Sequence, residues 1–96
     1  MKETQSEAFY KKLQEQIDDT TPVWPSQFLY KFILPTDTAK ITELENHFNH
    51  MGAVINKKTS KNKKYTSISI LVQMKNSNDI IAKYKEVSKI EGIISL

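Results

Sequence analysis

Lysines fall at five of eight consecutive positions of this chain and form its densest group of charged side chains. They are Lys57, Lys58, Lys61, Lys63 and Lys64. No acidic residue interrupts them, and Tyr65 and Ser67 follow directly with an aromatic ring and a hydroxyl. Such a set can bind an anion, although like-charge runs are more often solvated and lysines also protect sheet edges. All seven residues are therefore a possible partner or anion contact.

The chain offers little for catalysis or metal binding. Glu43, His47 and His50 fall on one face of a predicted helix, but their spread is wide and no fourth ligand is evident. There is no cysteine, no Gly-rich phosphate loop and no recognisable nucleophile motif. Asp37 follows a predicted strand, as catalytic acids often do, but its position is that of a helix N-cap. We expect no catalytic residue, no cofactor and no metal, and so no enzyme.

Composition limits the class of protein further. The 96 residues suit one domain, and the net charge is +3. All 14 basic residues are lysine, and arginine is the residue for bidentate contacts to guanine and phosphate, so sequence-specific nucleic-acid recognition is disfavoured. Neither a membrane-spanning apolar run nor an N-terminal signal pattern is present, and we expect a cytoplasmic protein without a membrane partner.

The order of predicted elements is strand, helix, strand, strand, helix, strand. The predicted ranges are 27–34, 37–50, 53–59, 65–74, 76–87 and 93–96. This order is typical of a ferredoxin-like βαββαβ sandwich in the α+β class. We expect a four-stranded antiparallel sheet in the order 4-1-3-2, with two helices on one face. The predicted core contains Phe32, Leu44, Phe48, Ile70 and Tyr84, and Asn62 is the expected left-handed residue of the hairpin turn.

Residues 1–25 are predicted to form an N-terminal helical extension and a proline-containing linker, ahead of a domain at residues 26–96. Phe9, Leu13 and Ile17 make a narrow apolar stripe on a helix starting near Ser6. A helix this short is marginal without tertiary support, so we expect it to dock, within its own chain in preference to a neighbouring copy. The expected site is the open face of the sheet, the nearest uncovered apolar surface. Trp24 is expected to hold the linker against the domain.

Three segments of the chain resemble the YbeD-like family of small uncharacterised bacterial proteins. They are the hairpin at 59–70, which contains Ser-Lys and Tyr-x-Ser, the Phe-Leu-Tyr-Lys run at 28–31, and the Ile-Glu-Gly-Ile-Ile-Ser-Leu close at 90–96. The resemblance covers about residues 22–96 and implies an ACT-like, ferredoxin-like fold. Amino-acid-binding ACT domains have a glycine in their first loop. This chain has Leu-Pro-Thr-Asp at 34–37 instead, which argues against amino-acid binding.

These observations favour a non-enzymatic ACT-like regulatory or protein-interaction module. Its partner would be another protein, a second copy of the chain or a small anionic ligand. The alternative is weak binding of nucleic acid or another anion through the lysine-rich hairpin. Nucleic acid is the less favoured ligand because only Tyr65 on the predicted open face can stack on a base, whereas RNA-binding sheets usually offer two or three aromatics.

Overall fold

The computed structural model describes residues 2–95, and describes side chains from residue 7 to residue 95. In chain order the elements are α1 (Lys2–Thr20), β1 (Ser26–Pro35), α2 (Thr38–Asn46), a 3₁₀ turn (Asn49–Met51), β2 (Val54–Thr59), β3 (Tyr65–Met74), α3 (Ser77–Val87) and β4 (Ile94–Ser95). The final position of the predicted last strand, Leu96, lies outside the described residues. The remaining boundaries of the predicted strands agree with these ranges to within one residue.

The four strands form one sheet in the order β2-β3-β1-β4, with every neighbouring pair antiparallel. Read from the opposite edge, this is the predicted order 4-1-3-2. The two central strands pair along their whole length, from Ser26 opposite Met74 to Pro35 opposite Tyr65. Strand β4 is much shorter and pairs only with Phe32 and Ile33. The result is an α+β fold with the ferredoxin-like order of strands that the sequence predicts.

The core lies between the sheet and the helices. Alternate residues of β1 and β3 point toward the helices, because successive side chains of a strand face opposite sides. All five residues predicted for the core are buried. Helix α3 contributes Ile80, Ile81, Tyr84 and Val87, which recur at helical spacing. Burial raises the pKa of the Tyr84 phenol above its usual value.

Helix α2 begins as predicted and ends earlier than predicted. The carboxylate of Asp37 accepts a hydrogen bond from the backbone N–H of Ala39 at 2.9 Å and so caps the helix. The predicted end near residue 50 is wrong, because the helix stops at Asn46. The N–H of Phe48 donates instead to the carbonyl of Glu45 at 2.9 Å, an i to i−3 bond that tightens the last turn. Phe48 is fully buried after this change of pitch.

The N-terminal helix docks on the helical side of the molecule, and the predicted docking on the open sheet face is wrong. Helix α1 starts at Lys2, ahead of the predicted start near Ser6, and packs against α3. The side-chain amide of Gln14 donates to the hydroxyl of Ser77 at 3.2 Å, and the Lys85 ammonium lies 5.5 Å from the centre of the Tyr10 ring.

The apolar stripe of α1 is only partly the predicted one. Ile17 is buried in the core and Leu13 packs against the core from a half-buried position. Phe9 is exposed, and Tyr10 occupies the half-buried position beside α3 in its place. Trp24 is also half-buried against the core, as expected for the residue that holds the linker. On the helical side α1 joins the core cluster through Ile17, whereas the open sheet face carries polar residues and lysines between its apolar ones.

Phe48→Ala tests the packing of the turn that follows α2. We expect it to lower the free energy of unfolding by about 3–5 kcal/mol, because removing a fully buried ring leaves a large cavity in the core. Urea denaturation measures the loss. An unchanged midpoint would show that Phe48 does not fill the core.

Ile17→Ala and Phe9→Ala test the docking of α1 as a pair. The first should lower the free energy of unfolding by about 2–4 kcal/mol, because Ile17 belongs to the core cluster. The second should cost less than about 1 kcal/mol, because Phe9 is 60% exposed. Thermal or urea unfolding of both variants gives the comparison. Equal losses would place the stripe of α1 in a different orientation.

Candidate functional site

No element among residues 2–95 covers the face of the sheet that is turned away from the helices. Strand register sets Val54, Leu71 and Leu29 side by side across three strands of this face. Val54 is 57% exposed and Leu29 is 47% exposed. Together these three residues form the apolar row. An adjacent polar row contains Asn56, Ser69 and Lys31, and the next row contains Lys58, Ser67, Ile33 and Ile94.

Charge on this face has one sign. Lys31 and Lys58 project from its strands, and none of the described strands carries an Asp or Glu. Lys61, Lys63 and Lys64 extend the positive region into the turn between β2 and β3. These five lysines leave nine of the 14 for the remainder of the chain, where all 11 acidic residues also lie. The open face and its hairpin are therefore basic, whereas the remainder of the chain is slightly acidic.

The structure separates the predicted lysine group into distinct environments. Lys57 pairs with buried Ile68 in the sheet, so its side chain faces the helical side. Its ammonium lies 2.9 Å from a carboxylate oxygen of Glu45 in α2. Lys58 is one residue further along the strand and faces the open side. Because strand residues alternate between faces, two lysines that are adjacent in sequence cannot contribute to one site here.

Four of the seven predicted contact residues meet around one shallow hollow of about 360 Å³ on the open face. They are Lys58, Lys61, Tyr65 and Ser67. Ile33, Thr59 and Ser60 complete the lining and were not among the seven predicted contact residues. Ile33 lies 25 to 34 positions before the other lining residues and arrives through its pairing with Ser67. Strand alternation predicts the face on which Ile33 lies, and strand register sets it beside Ser67.

The turn that carries Lys61 is held by its own polar groups. The N–H of Ser60 donates to the carbonyl of Tyr65 at 2.8 Å, and the side-chain oxygen of Asn62 accepts from the N–H of Lys64 at 3.1 Å. The prediction that Asn62 is left-handed is wrong, because Lys63 has the positive φ of 59°. The Asn62 side chain bonds the backbone two residues on, and this Asx turn leaves the following residue to reverse the chain.

The histidines lie on the helical side, away from the hollow. His47 Nδ1 is 2.7 Å from a carboxylate oxygen of Glu86, and the Lys83 ammonium donates to the same oxygen at 2.8 Å. Lys83 also donates to the carbonyl of His47 at 2.6 Å, so this network links the end of α2 to α3. The hydrogen bond from Lys83 is the main cause that lowers the pKa of Glu86.

A larger cavity of about 480 Å³ lies beside this network. Its charged lining residues are two lysines, Lys75 and Lys83, and two acids, Asp79 and Glu86, and His50 also lines it. The two positive and two negative charges balance, so the cavity does not select for an anion or a cation. The described side chains include no group of three or more His, Asp or Glu placed to hold a metal ion, and Glu43, His47 and His50 are not brought together as a ligand set.

No family model matches this chain, and no curated protein matches it in sequence. Two solved structures are similar in fold. The solution structure of protein HP0495 from H. pylori has a TM-score of 0.63 and 24% identity, over 83% of this chain and 92% of that chain. The crystal structure of the ACT domain from GTP pyrophosphokinase of Chlorobium tepidum has a TM-score of 0.52 and 10% identity, over 74% of this chain and all of that chain.

These similarities support an ACT-like fold. At such identities they describe the fold alone, and they assign no ligand or partner. In the part of the chain that the structure describes, no helix is long and apolar enough to cross a membrane.

Lys63→Gly tests the turn geometry. A non-glycine residue in the left-handed region costs about 1–2 kcal/mol, and glycine loses part of this advantage through its greater freedom in the unfolded chain. We expect a net gain in unfolding free energy of about 0.5–1 kcal/mol. Lys64→Gly is the matched control, because Lys64 has no positive φ and should lose stability. A gain in both variants, measured by urea denaturation, would contradict the assigned turn.

Proposed function

We propose that this chain is a non-enzymatic ACT-like module with a regulatory or protein-interaction role. Its contact surface is the open sheet face together with the β2–β3 hairpin. The observation that carries the proposal is that α1 packs on the helical side and leaves this face uncovered. A sheet face with exposed apolar residues is a common place for partner binding, because covering those residues releases water from apolar surface.

Exposure of the apolar row supports contact with a partner. Val54 and Leu29 each leave about half of their surface in solvent, although both are large apolar residues. Isolated exposed apolar residues are ordinary, but here two lie in one row with Leu71. A partner that covers this row would remove its three residues from water together.

The basic charge of the surface favours an acidic or anionic partner. Lys58 and Lys31 face the same side as the apolar row, and no carboxylate on the strands neutralises them. Complementary charge accelerates encounter and orients the partner, while the apolar contacts hold it. The partner is thus an acidic surface of another protein, the slightly acidic remainder of a second copy of the chain or a small organic anion.

The polar side chains of the face support a role without catalysis. Ser67 donates its hydroxyl to the carbonyl of Lys58 at 3.3 Å, and no histidine or carboxylate stands beside it as a base. His47 is engaged with Glu86 on the helical side. Acyl transfer commonly uses a nucleophile, a base and a group that orients the base, and this surface does not bring such a set together.

We also propose that the chain belongs to the YbeD-like family and acts in the bacterial cytoplasm. This proposal rests on the three segments at 28–31, 59–70 and 90–96 and on the ACT-like fold that such membership implies. The first loop has Pro35 and capping Asp37 in place of a glycine, so the role proposed here does not depend on amino-acid binding.

Weak nucleic-acid binding through the hairpin is the second candidate function. Lys58, Lys61, Lys63 and Lys64 have no carboxylate partner among the described side chains. Phosphate contacts by these lysines would weaken steeply as salt rises, whereas contacts through the apolar row would not. A complex that persists at high salt, even if it forms more slowly there, therefore indicates the apolar contact, and a complex that is lost indicates phosphate binding.

Val54→Glu and Leu29→Glu test the proposed surface, with Val23→Glu as the matched control. Val23 is 70% exposed in the linker and lies outside the sheet. The measurements are self-association by analytical ultracentrifugation and recovery of partner proteins by the tagged chain. We expect both sheet variants to lose self-association or partner recovery by about tenfold, since a buried charge opposes the contact. Val23→Glu should behave as wild type.

Thermal unfolding of the three variants verifies that the fold is retained. Equal binding by wild type and both sheet variants would overturn the proposed contact surface.

A further inference from the structure

The hollow beside the β2–β3 hairpin has features of a small-ligand site that the apolar row lacks. Its volume of about 360 Å³ is within the usual range for such sites. Its lining combines an aromatic ring, an aliphatic side chain, two ammonium groups and several hydroxyls. Each of these groups selects a different part of a ligand, so the combination restricts the ligand more than a general basic surface would.

The two ammonium groups select the charged part of the ligand. Lys58 and Lys61 line the hollow, and no Asp or Glu lines it with them. Neither lysine forms an ion pair with a described carboxylate. A phosphate monoester carries a charge of about −1.5 to −2 at neutral pH, which two lysines neutralise. Lysine binds phosphate as a point charge and does not require the fixed geometry of arginine.

The ring and the aliphatic side chain select a flat apolar group. Tyr65 is 49% exposed, and Ile33 lies in the neighbouring row of the same face. Together they offer a base one stacking surface. A strand of RNA usually requires two or three aromatic side chains for successive bases, so a single ring suits a single nucleotide.

The hydroxyl groups complete the set. Ser60 is already used, because its hydroxyl donates to Asn62 and accepts from the N–H of Tyr65. Ser67 donates to the carbonyl of Lys58 and keeps lone pairs for a donor from the ligand. The phenol of Tyr65 can both donate and accept. These groups suit the hydroxyls of a sugar between the base and the phosphate.

We infer that this hollow binds a nucleoside monophosphate, with the phosphate at Lys58 and Lys61 and the base against Tyr65 and Ile33. The inference rests on the proposed function in one respect, since it names the small anionic ligand of the same open face. It differs in the residues it uses, because the apolar row of Val54, Leu71 and Leu29 lies outside the hollow. The larger cavity near α3 is excluded as the anion site by Asp79 and Glu86 in its lining.

Titration of the ¹⁵N-labelled full chain with AMP, followed by NMR, tests the inference. AMP should shift the amide signals of Tyr65, Ser67 and Lys58. Adenosine lacks the phosphate and inorganic phosphate lacks the base, so each should bind at least about tenfold more weakly than AMP. Equal affinity for AMP and inorganic phosphate would overturn the assignment of the base to Tyr65.

Two pairs of substitutions in the same hairpin separate the hollow from general charge. Lys58→Gln with Lys61→Gln should weaken AMP binding by about tenfold or more, because both ammonium groups contact the phosphate. Lys63→Gln with Lys64→Gln removes the same charge from residues outside the hollow and should change affinity less than about twofold. Tyr65→Ala should lose AMP binding, whereas Tyr65→Phe keeps the stacking ring, lacks only the hydroxyl and should weaken AMP binding by less than about tenfold.

Equal losses from the two lysine pairs, or tighter binding of oligoadenylate with a steep dependence on salt, would overturn the inference in favour of nucleic-acid binding by the charged loop. The absence of any AMP-induced shift would also overturn it. None of these results would affect the proposed function if Val54→Glu and Leu29→Glu still weakened association. Failure of the AMP inference and failure of the proposed contact surface are therefore distinguishable.

Discussion

The packing of one buried tyrosine connects the sheet to both of its covering helices. The Tyr30 ring centre lies 5.1 Å from that of Phe48, in the turn that follows α2, and 4.9 Å from that of Tyr84 in α3. Its hydroxyl donates to the carbonyl of Ile80 at 3.1 Å, which satisfies the one polar group of a fully buried side chain. Burial raises the pKa of this phenol far above its usual value, so it remains a neutral donor. The orientation of both helices over the central strand depends on this contact.

The aromatic core also decides which side of the sheet stays open. Strands β1 and β3 direct most of their large apolar side chains toward the helices, and α1 packs against α3 and adds Ile17 and Leu13 to that side of the core. The opposite face receives serines, a few apolar residues, Tyr65 and the lysines Lys31 and Lys58. One face of the sheet is thus packed into the core, and the other is free for contacts. The N-terminal helix adds to the packed side and leaves the other face uncovered.

Much of the fold could be predicted from local patterns in the sequence. Alternation in β1 and β3 and the helical spacing in α3 each involve residues close in the chain, and Asp37 caps α2 through its own neighbours. The docking of α1 could not be predicted, because the choice between two apolar surfaces depends on the packed shape of each. The site could be predicted only in part, because some of its residues are brought together by strand pairing and not by closeness in sequence. Lysines and Tyr65 are visible as a cluster, whereas Ile33 joins them only through strand register and Lys57 departs because of strand alternation.

The uneven placement of charge makes the open face and its hairpin more positive than the rest of the chain. Five lysines mark the open face and its hairpin, and every acidic residue lies elsewhere in the chain. In the field of a negatively charged object such a molecule experiences a torque as well as an attraction, and it turns before contact is made. The sheet would then meet its partner face first, and a larger fraction of collisions would be productive. Salt would shorten the range of this alignment to about 8 Å under physiological conditions. Orientation during approach is thus a property of the whole charge distribution, beyond any single lysine.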